Sequence, residues 1–184
     1  MSDTKTLTGR RILIMATDGF EQSELEVPLE RLADAGADVD VASISSGKIT
    51  GWDGDDWGED VEVDLTLAEV SVDRYDALVL PGGQINPDLL RVEERAIEII
   101  RDFAGAGKPV AAICHAPWLL VEAGLAKGRQ MTSYKSIRTD VANAGAEVLD
   151  EAVVEDGNLI TSRCPDDLPD FCDAIVNAVE GSRI

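Results

Sequence analysis

Short, unbroken apolar runs alternate along the chain with longer stretches in which apolar residues recur every three or four positions. Arg11-Ile12-Leu13-Ile14-Met15-Ala16 shows no polar alternation and predicts a strand covered on both faces, as in a parallel sheet. Leu25, Leu29 and Leu32 follow at helical spacing up to Gly36, with Pro28 implying a kink or a late start. Asp38 to Ile44 reads as the next strand. Ala77-Leu78-Val79-Leu80 and Pro109-Val110-Ala111-Ala112-Ile113 read as two further buried strands, the first ending in Pro81-Gly82-Gly83 and the second running directly into Cys114.

Between the two buried strands, Asn86-Pro87 predicts a helix cap and first helical residue, with Ile97, Ile100 and Ala104 continuing that helix to Gly105 and Gly107. Pro117 to Ala123 and Ser136 to Ala144 read as helices, Ala152 to Glu155 and Leu159 to Ser162 as strands. A last helix starts near Asp166, with a stripe at Leu168, Phe171, Cys172, Ile175 and Val179. Gly47 to Asp64, with Gly51, Gly54 and Gly58 among Trp52, Trp57 and several acids, predicts a hairpin excursion too small to be a domain. Strands alternating with helices imply an α/β fold: a doubly wound, mostly parallel sheet with helices on both faces. Residues 1–9 are polar and expected to be a flexible tail, with residues 10–184 forming one domain.

In such sheets ligands sit at the carboxyl ends of the strands. That rule selects Thr17 to Glu21, Pro81 to Gly83, and Cys114 with His115. Ala112-Ile113-Cys114-His115-Ala116 has the spacing of a nucleophile elbow, with alanines at the small flanking positions and cysteine as nucleophile. A sharp turn there would expose the thiol at the sheet edge and aim it at a helix N-terminus, which favours thiolate. The backbone amides of Gly83 and His115 could cradle a developing oxyanion. Glu21, just past the first strand, is the candidate carboxylate to share a proton with the sulfur. Cys164 and Cys172 read as structural. Trp52 and Trp57 would pack against another subunit or against each other on the hairpin.

Composition narrows the setting. Thirty-six acidic against 16 basic side chains give a net charge of -20, dispersed along the chain, which disfavours nucleic acid and anionic membranes as partners. Such dispersed acids are screened in strong salt, where the Debye length falls to ~3 Å at 1 M, so a halophilic, salt-adapted source is expected. No apolar run reaches the ~20 residues of a membrane helix, and the N-terminus lacks a signal pattern, so a soluble cytoplasmic protein is expected. Three cysteines argue against a disulfide framework, and one histidine without a close cysteine pair leaves neither zinc nor an iron–sulfur cluster its ligands. No cofactor is expected.

The assembled motifs resemble the PfpI-type intracellular protease and deglycase family, within the flavodoxin-like class I glutamine amidotransferase-like superfamily. Phe20-Glu21, Val79-Leu80-Pro81-Gly82-Gly83, Lys108-Pro109-Val110, Ala112-Ile113-Cys114-His115 and Asp156-Gly157-Asn158-Leu159-Ile160-Thr161-Ser162-Arg163 carry the likeness, from about Arg11 to Val179. The resemblance implies that Cys114 is the nucleophile, that Glu21 hydrogen-bonds its sulfur, and that Gly83 and His115 lend backbone amides. It implies a homodimer or higher oligomer, with a hexamer among the candidates. In that family an acid from a neighbouring subunit reaches the histidine. Asp88 stands at the matching position, shorter than the expected glutamate and displaced by one inserted residue between Gly83 and Pro87.

The activity expected first is conversion of reactive 2-oxoaldehydes, or removal of their glycation adducts from proteins and peptides, through a hemithioacetal at Cys114. A peptidase with a Cys114-His115-Asp88 triad completed across subunits is the alternative. A stress-response chaperone or redox sensor, with Cys114 oxidised to sulfinate, is the third reading. No downstream His-x-Glu pair supports an amidotransferase.

Overall fold

The structure, a computed structural model, describes residues 6–182. In chain order the strands and helices are β1 (Arg11–Met15), β2 (Phe20–Glu21), α1 (Gln22–Asp34), β3 (Asp38–Ser43), β4 (Gly47–Asp53), β5 (Asp56–Val63), β6 (Leu65–Thr66), β7 (Ala77–Leu80), α2 (Ile85–Leu90), α3 (Glu94–Gly105) and β8 (Val110–Ile113). There follow α4 (Pro117–Glu122), β9 (Gln130–Met131), α5 (Arg138–Asn143), β10 (Glu147–Val148), β11 (Val153–Asp156), β12 (Leu159–Ser162) and α6 (Leu168–Gly181).

Seven strands form the central sheet in the order β11-β12-β8-β7-β1-β3-β6, parallel throughout except for β11 against β12. The unbroken apolar runs are explained by this placement, since successive residues of a strand point to opposite faces and both faces are covered. Leu13, Met15, Leu78, Leu80, Val110 and Ala112 enter a core with Ile99, Ile100 and Phe103 of α3 and Leu119 and Leu120 of α4. Ile12, Ile14, Val79, Ala111 and Ile113 enter the opposite core with Leu25 and Leu32 of α1 and Phe171, Ile175 and Val179 of α6.

Several expectations change. The segment after β7 is two helices, not one: α2 ends at Leu90 and α3 starts at Glu94. Asn86 lies inside α2 as a fully buried side chain, not at a cap. Helix α1 starts well before Pro28 and runs through it. The expected tail ends sooner than residue 9, because Leu7 is fully buried and its amide donates to Ala35 O at 2.9 Å. Residues 1–5 of that tail lie outside the described residues. Antiparallel β4 and β5 form the hairpin, and β2 joins it through parallel pairing of Phe20 and Glu21 with Gly51 and Trp52. No described helix is long and apolar enough to cross a membrane.

Candidate active site

Strand β8 delivers Cys114 at the carboxyl edge of the sheet, and the chain then turns into α4. Cys114 has φ 65°, the one non-glycine residue with positive φ among those described. Such a left-handed conformation costs an L-residue on the order of 1–2 kcal/mol and persists only where the surroundings hold it. Here its amide donates to Ser162 O at 3.0 Å on β12, and its carbonyl accepts from Tyr134 N at 2.8 Å. The amides of Gly83 and His115 both lie close enough to the sulfur to favour its thiolate form. Gly83 can approach this closely only without a side chain: its φ is 79°, and a Cβ there would meet Gly19 O at 2.4 Å. The two amides expected to cradle an oxyanion thus converge on the nucleophile.

The carboxyl beside the sulfur belongs to Glu24, not to Glu21. Glu24 is fully buried on the first turn of α1; its Oε2 accepts from Gly82 N at 2.8 Å, and its carboxyl lies close enough to the Cys114 thiol for each to shift the other's ionisation. Its Oε1 has no hydrogen-bond partner among the described residues. Burial lifts Glu24 to about 8, with the charge of Glu21 adding to the rise and hydrogen bonds from Gly82, Cys114 and Gly83 opposing it. At neutral pH Glu24 therefore carries its proton. Burial also pushes the Cys114 thiol up, a charged Glu24 would push it further, and the two amides pull it back. Glu21 is displaced because Phe20 and Glu21 pair with the hairpin as β2, so the helix begins at Gln22 and turns residue 24 inward. Glu21 lines the cleft half-buried, lifted above the usual carboxylate range by burial and by the charge of Asp53.

His115 is also buried, and its Nδ1 lies 3.1 Å from Cys114 Sγ. Its Nε2 lies 3.2 Å from Ser136 Oγ, a partner for which spacing along the chain carries no signal. The ring stacks on Tyr134, centroids 4.7 Å apart, and meets the edge of Trp118 at 5.3 Å. Burial pulls the imidazole below its ordinary value, so it is neutral near pH 7. Asp88 sits elsewhere: exposed on α2, it lines a separate depression with Gln84, Ile85 and Trp118.

Asn86 fixes the second loop of the site. Its Oδ1 accepts from Thr17 N at 2.8 Å, and its Nδ2 donates to Pro81 O at 2.9 Å and Gly82 O at 3.0 Å. One buried amide thereby ties the ends of β1 and β7 together and holds the Gly82-Gly83 peptides in place. Hydrophobic periodicity carries no signal of this role.

A cleft of about 500 Å³ opens over the sulfur, lined by Glu21, Glu24, Trp52, Gly83, His115 and Tyr134 among others. Trp52 forms one wall and packs edge-on against Trp57 at 5.4 Å, so the indoles meet on their own hairpin; Trp57 is exposed. Cys172 is buried on α6, and Cys164 is partly exposed beyond β12. Among the described residues no group of three or more His, Cys, Asp or Glu side chains is arranged to hold a metal ion.

The DJ-1/PfpI family profile matches residues 10–178. The protein named Deglycase PfpI from Pyrococcus furiosus is 49% identical over 158 residues, 86% of this chain and 92% of that one. A Bacillus subtilis protein named Putative cysteine protease YraA is 41% identical over 163 residues, 88% of this chain and 94% of that one. The crystal structure of Drosophila melanogaster DJ-1beta superposes with a TM-score of 0.84 at 32% identity, covering 94% of this chain and 91% of that one. The chain belongs to the DJ-1/PfpI family.

Proposed function

We propose that the protein is a cofactor-independent cysteine enzyme that converts 2-oxoaldehydes such as methylglyoxal, or the early adducts they form on amines, through a hemithioacetal at Cys114. The observation that carries this reading is the pairing of the thiol with a neutral imidazole on one side and a protonated buried carboxyl on the other, beneath a small open cleft. His115 Nδ1 takes the thiol proton as sulfur adds to the aldehyde carbon, and Glu24 gives its proton to the aldehyde oxygen. The amides of Gly83 and His115 stabilise the charge that develops there.

Glu24, now a carboxylate, takes the proton from the former aldehyde carbon and returns it to the adjacent carbonyl carbon, while the hydroxyl proton of the hemithioacetal passes to that carbonyl's oxygen. The hemithioacetal becomes a thioester of the 2-hydroxy acid. Water adds to the thioester carbonyl and gives one proton to Glu24, the carbon–sulfur bond breaks, and the sulfur regains its proton from His115 with release of the hydroxy acid. Aldehyde plus water gives hydroxy acid, with no external oxidant. A glycation adduct that retains an aminocarbinol enters the same sequence after loss of its amine.

The test is lactate formation from methylglyoxal without glutathione, by wild type and Cys114→Ala, in strong salt and in dilute buffer. Turnover that requires Cys114 supports the assignment; none in a folded wild type overturns it. A cysteine peptidase is the second reading, favoured by the 3.1 Å contact between Cys114 and His115 and by the name of the Bacillus relative. Within the chain His115 has a hydroxyl, not a carboxylate, at its far nitrogen. That reading therefore needs Asp88 from a neighbouring subunit, and Asp88→Ala should abolish peptide hydrolysis while sparing aldehyde turnover.

A further inference from the structure

We infer that the cleft selects substrates carrying a positive charge beside the reacting carbon: Trp52 and Glu21 form a subsite for a guanidinium or ammonium group, and neutral or anionic aldehyde adducts are disfavoured. This deepens the proposed function and rests on it for the substrate assignment alone.

The subsite is set by strand register. Parallel pairing puts Glu21 of β2 directly beside Trp52 of β4, and residues side by side in a sheet point to the same face. Both side chains line the cleft above Cys114. The indole is oriented by the protein itself: its Nε1 donates to Gly54 O at 2.9 Å, and Trp57 meets it edge-on at 5.4 Å. A partly exposed aromatic ring held in a cleft wall attracts a cation to its π-face at little cost in ordering.

Formal charge along this wall has one sign. Glu21 has neither a hydrogen-bond nor an ion-pair partner among the described residues, and the charge of Asp53, next along β4 from Trp52, reaches it. No Lys or Arg is among the described residues that line the cleft. Lys135, beside Tyr134, is exposed to solvent, and Arg138 and Arg163 are both engaged with Asp150. Deeper in the same cleft, Glu24 is fully buried and its Oε1 is unpartnered, an oxygen left for a polar group of the ligand. The amides of Gly83 and His115 favour negative charge at the sulfur, so the reacting oxygen belongs there and a cation belongs at the wall. An anionic adduct would meet repulsion from Glu21 and Asp53.

A net charge of -20 also attracts cations diffusely, so binding has to be read at single side chains. The chain has three tryptophans, and the indole N–H resonances of Trp52, Trp57 and Trp118 can be assigned by replacing each in turn. They are followed while n-butylguanidinium, n-butylammonium or n-butylurea, a neutral molecule of the guanidinium's shape, is titrated into wild type and Glu21→Gln. The expected result is a saturable shift at Trp52 with Trp118 unmoved, the tighter of the two cations binding at least about tenfold more strongly than butylurea. Whichever cation binds tighter identifies the group that the subsite takes. Glu21→Gln, whose carboxylate has no partner to lose, should weaken the cation about threefold to fivefold and leave butylurea unchanged. The tighter cation should also compete with methylglyoxal, raising its apparent KM at constant kcat, and about fivefold more of it should be needed in Trp52→Leu.

Equal affinity for cation and urea, shifts that never saturate at all three indoles, or wild-type affinity in Glu21→Gln overturns the inference. Binding at Trp52 that leaves methylglyoxal turnover untouched overturns the assignment of the cation to the substrate. Saturable, charge-selective binding in a folded protein that turns over no aldehyde would leave the subsite standing and remove the proposed function instead.

Discussion

Glu24 and Cys114 converge on the α-carbon of Gly82. A Cβ there would lie 2.5 Å from Glu24 Oε2 and 2.7 Å from Cys114 Cβ, with Ile113 O at 2.6 Å. The residue after Pro81 is thus the floor on which acid and nucleophile meet, and its lack of a side chain sets their separation.

Gly82→Ala is expected to destabilise the fold by about 2–3 kcal/mol through overpacking and to cost about a hundredfold in turnover by spreading the pair. Thermal unfolding and methylglyoxal kinetics on the same preparation check both effects. An alanine variant with the wild-type melting temperature and rate would show that this contact is not close.

Glu24 links folding to pH. Its folded-state pKa is raised, from an ordinary 4.5 to about 8, so the folded form holds the proton more tightly than the unfolded chain. The stability this confers is complete below about pH 4.5 and drains away as pH rises through about 8, a total on the order of 4–5 kcal/mol. Urea midpoints should fall across that window in wild type and change far less in Glu24→Gln. Parallel profiles for the two proteins would mean that Glu24 is ionised in the fold throughout.

The two acids of α1 and its approach should separate cleanly. Glu24→Gln keeps a hydrogen-bonding shape but cannot transfer a proton, and is expected to lower kcat about a hundredfold. Glu21→Gln should change kcat less than about threefold, since Glu21 raises Glu24 only through its charge. Removing that charge lets Glu24 ionise more easily, so the alkaline fall in rate should move to lower pH. If Glu21→Gln is the more damaging change, the assignment of the proton donor is reversed.

Backbone strain at Cys114 predicts an inverted order of variants. Glycine tolerates φ 65° and alanine does not, so Cys114→Gly should be more stable than Cys114→Ala by about 1 kcal/mol, with both inactive. Denaturant unfolding decides the order, and a clearly more stable alanine variant would show that the elbow relaxes when sulfur is removed.

Much of this site is legible from spacing. A buried strand running into a cysteine between small residues announces the elbow, and Pro-Gly-Gly at a neighbouring strand end announces the amide of Gly83. Glu24 was hidden by the two-residue strand at Phe20 and Glu21, whose pairing partners lie about 30 residues further along and leave no local periodicity. A clue was nevertheless present: Glu24, Pro28 and Leu32 are spaced by four, which sets a carboxylate on the buried stripe of a helix. Ser136 and Asn86 left no such trace. Each acts through one contact to a residue distant in sequence, and such contacts follow from tertiary packing alone.

Asn86 makes the chemistry of the sulfur a late product of chain assembly. Its amide joins residues 69 positions apart, and the elbow is closed only when Tyr134 donates to the carbonyl of Cys114. During synthesis the thiol emerges before Tyr134, so a truncated product ending before Tyr134 would carry the cysteine without the contact that closes the elbow around it.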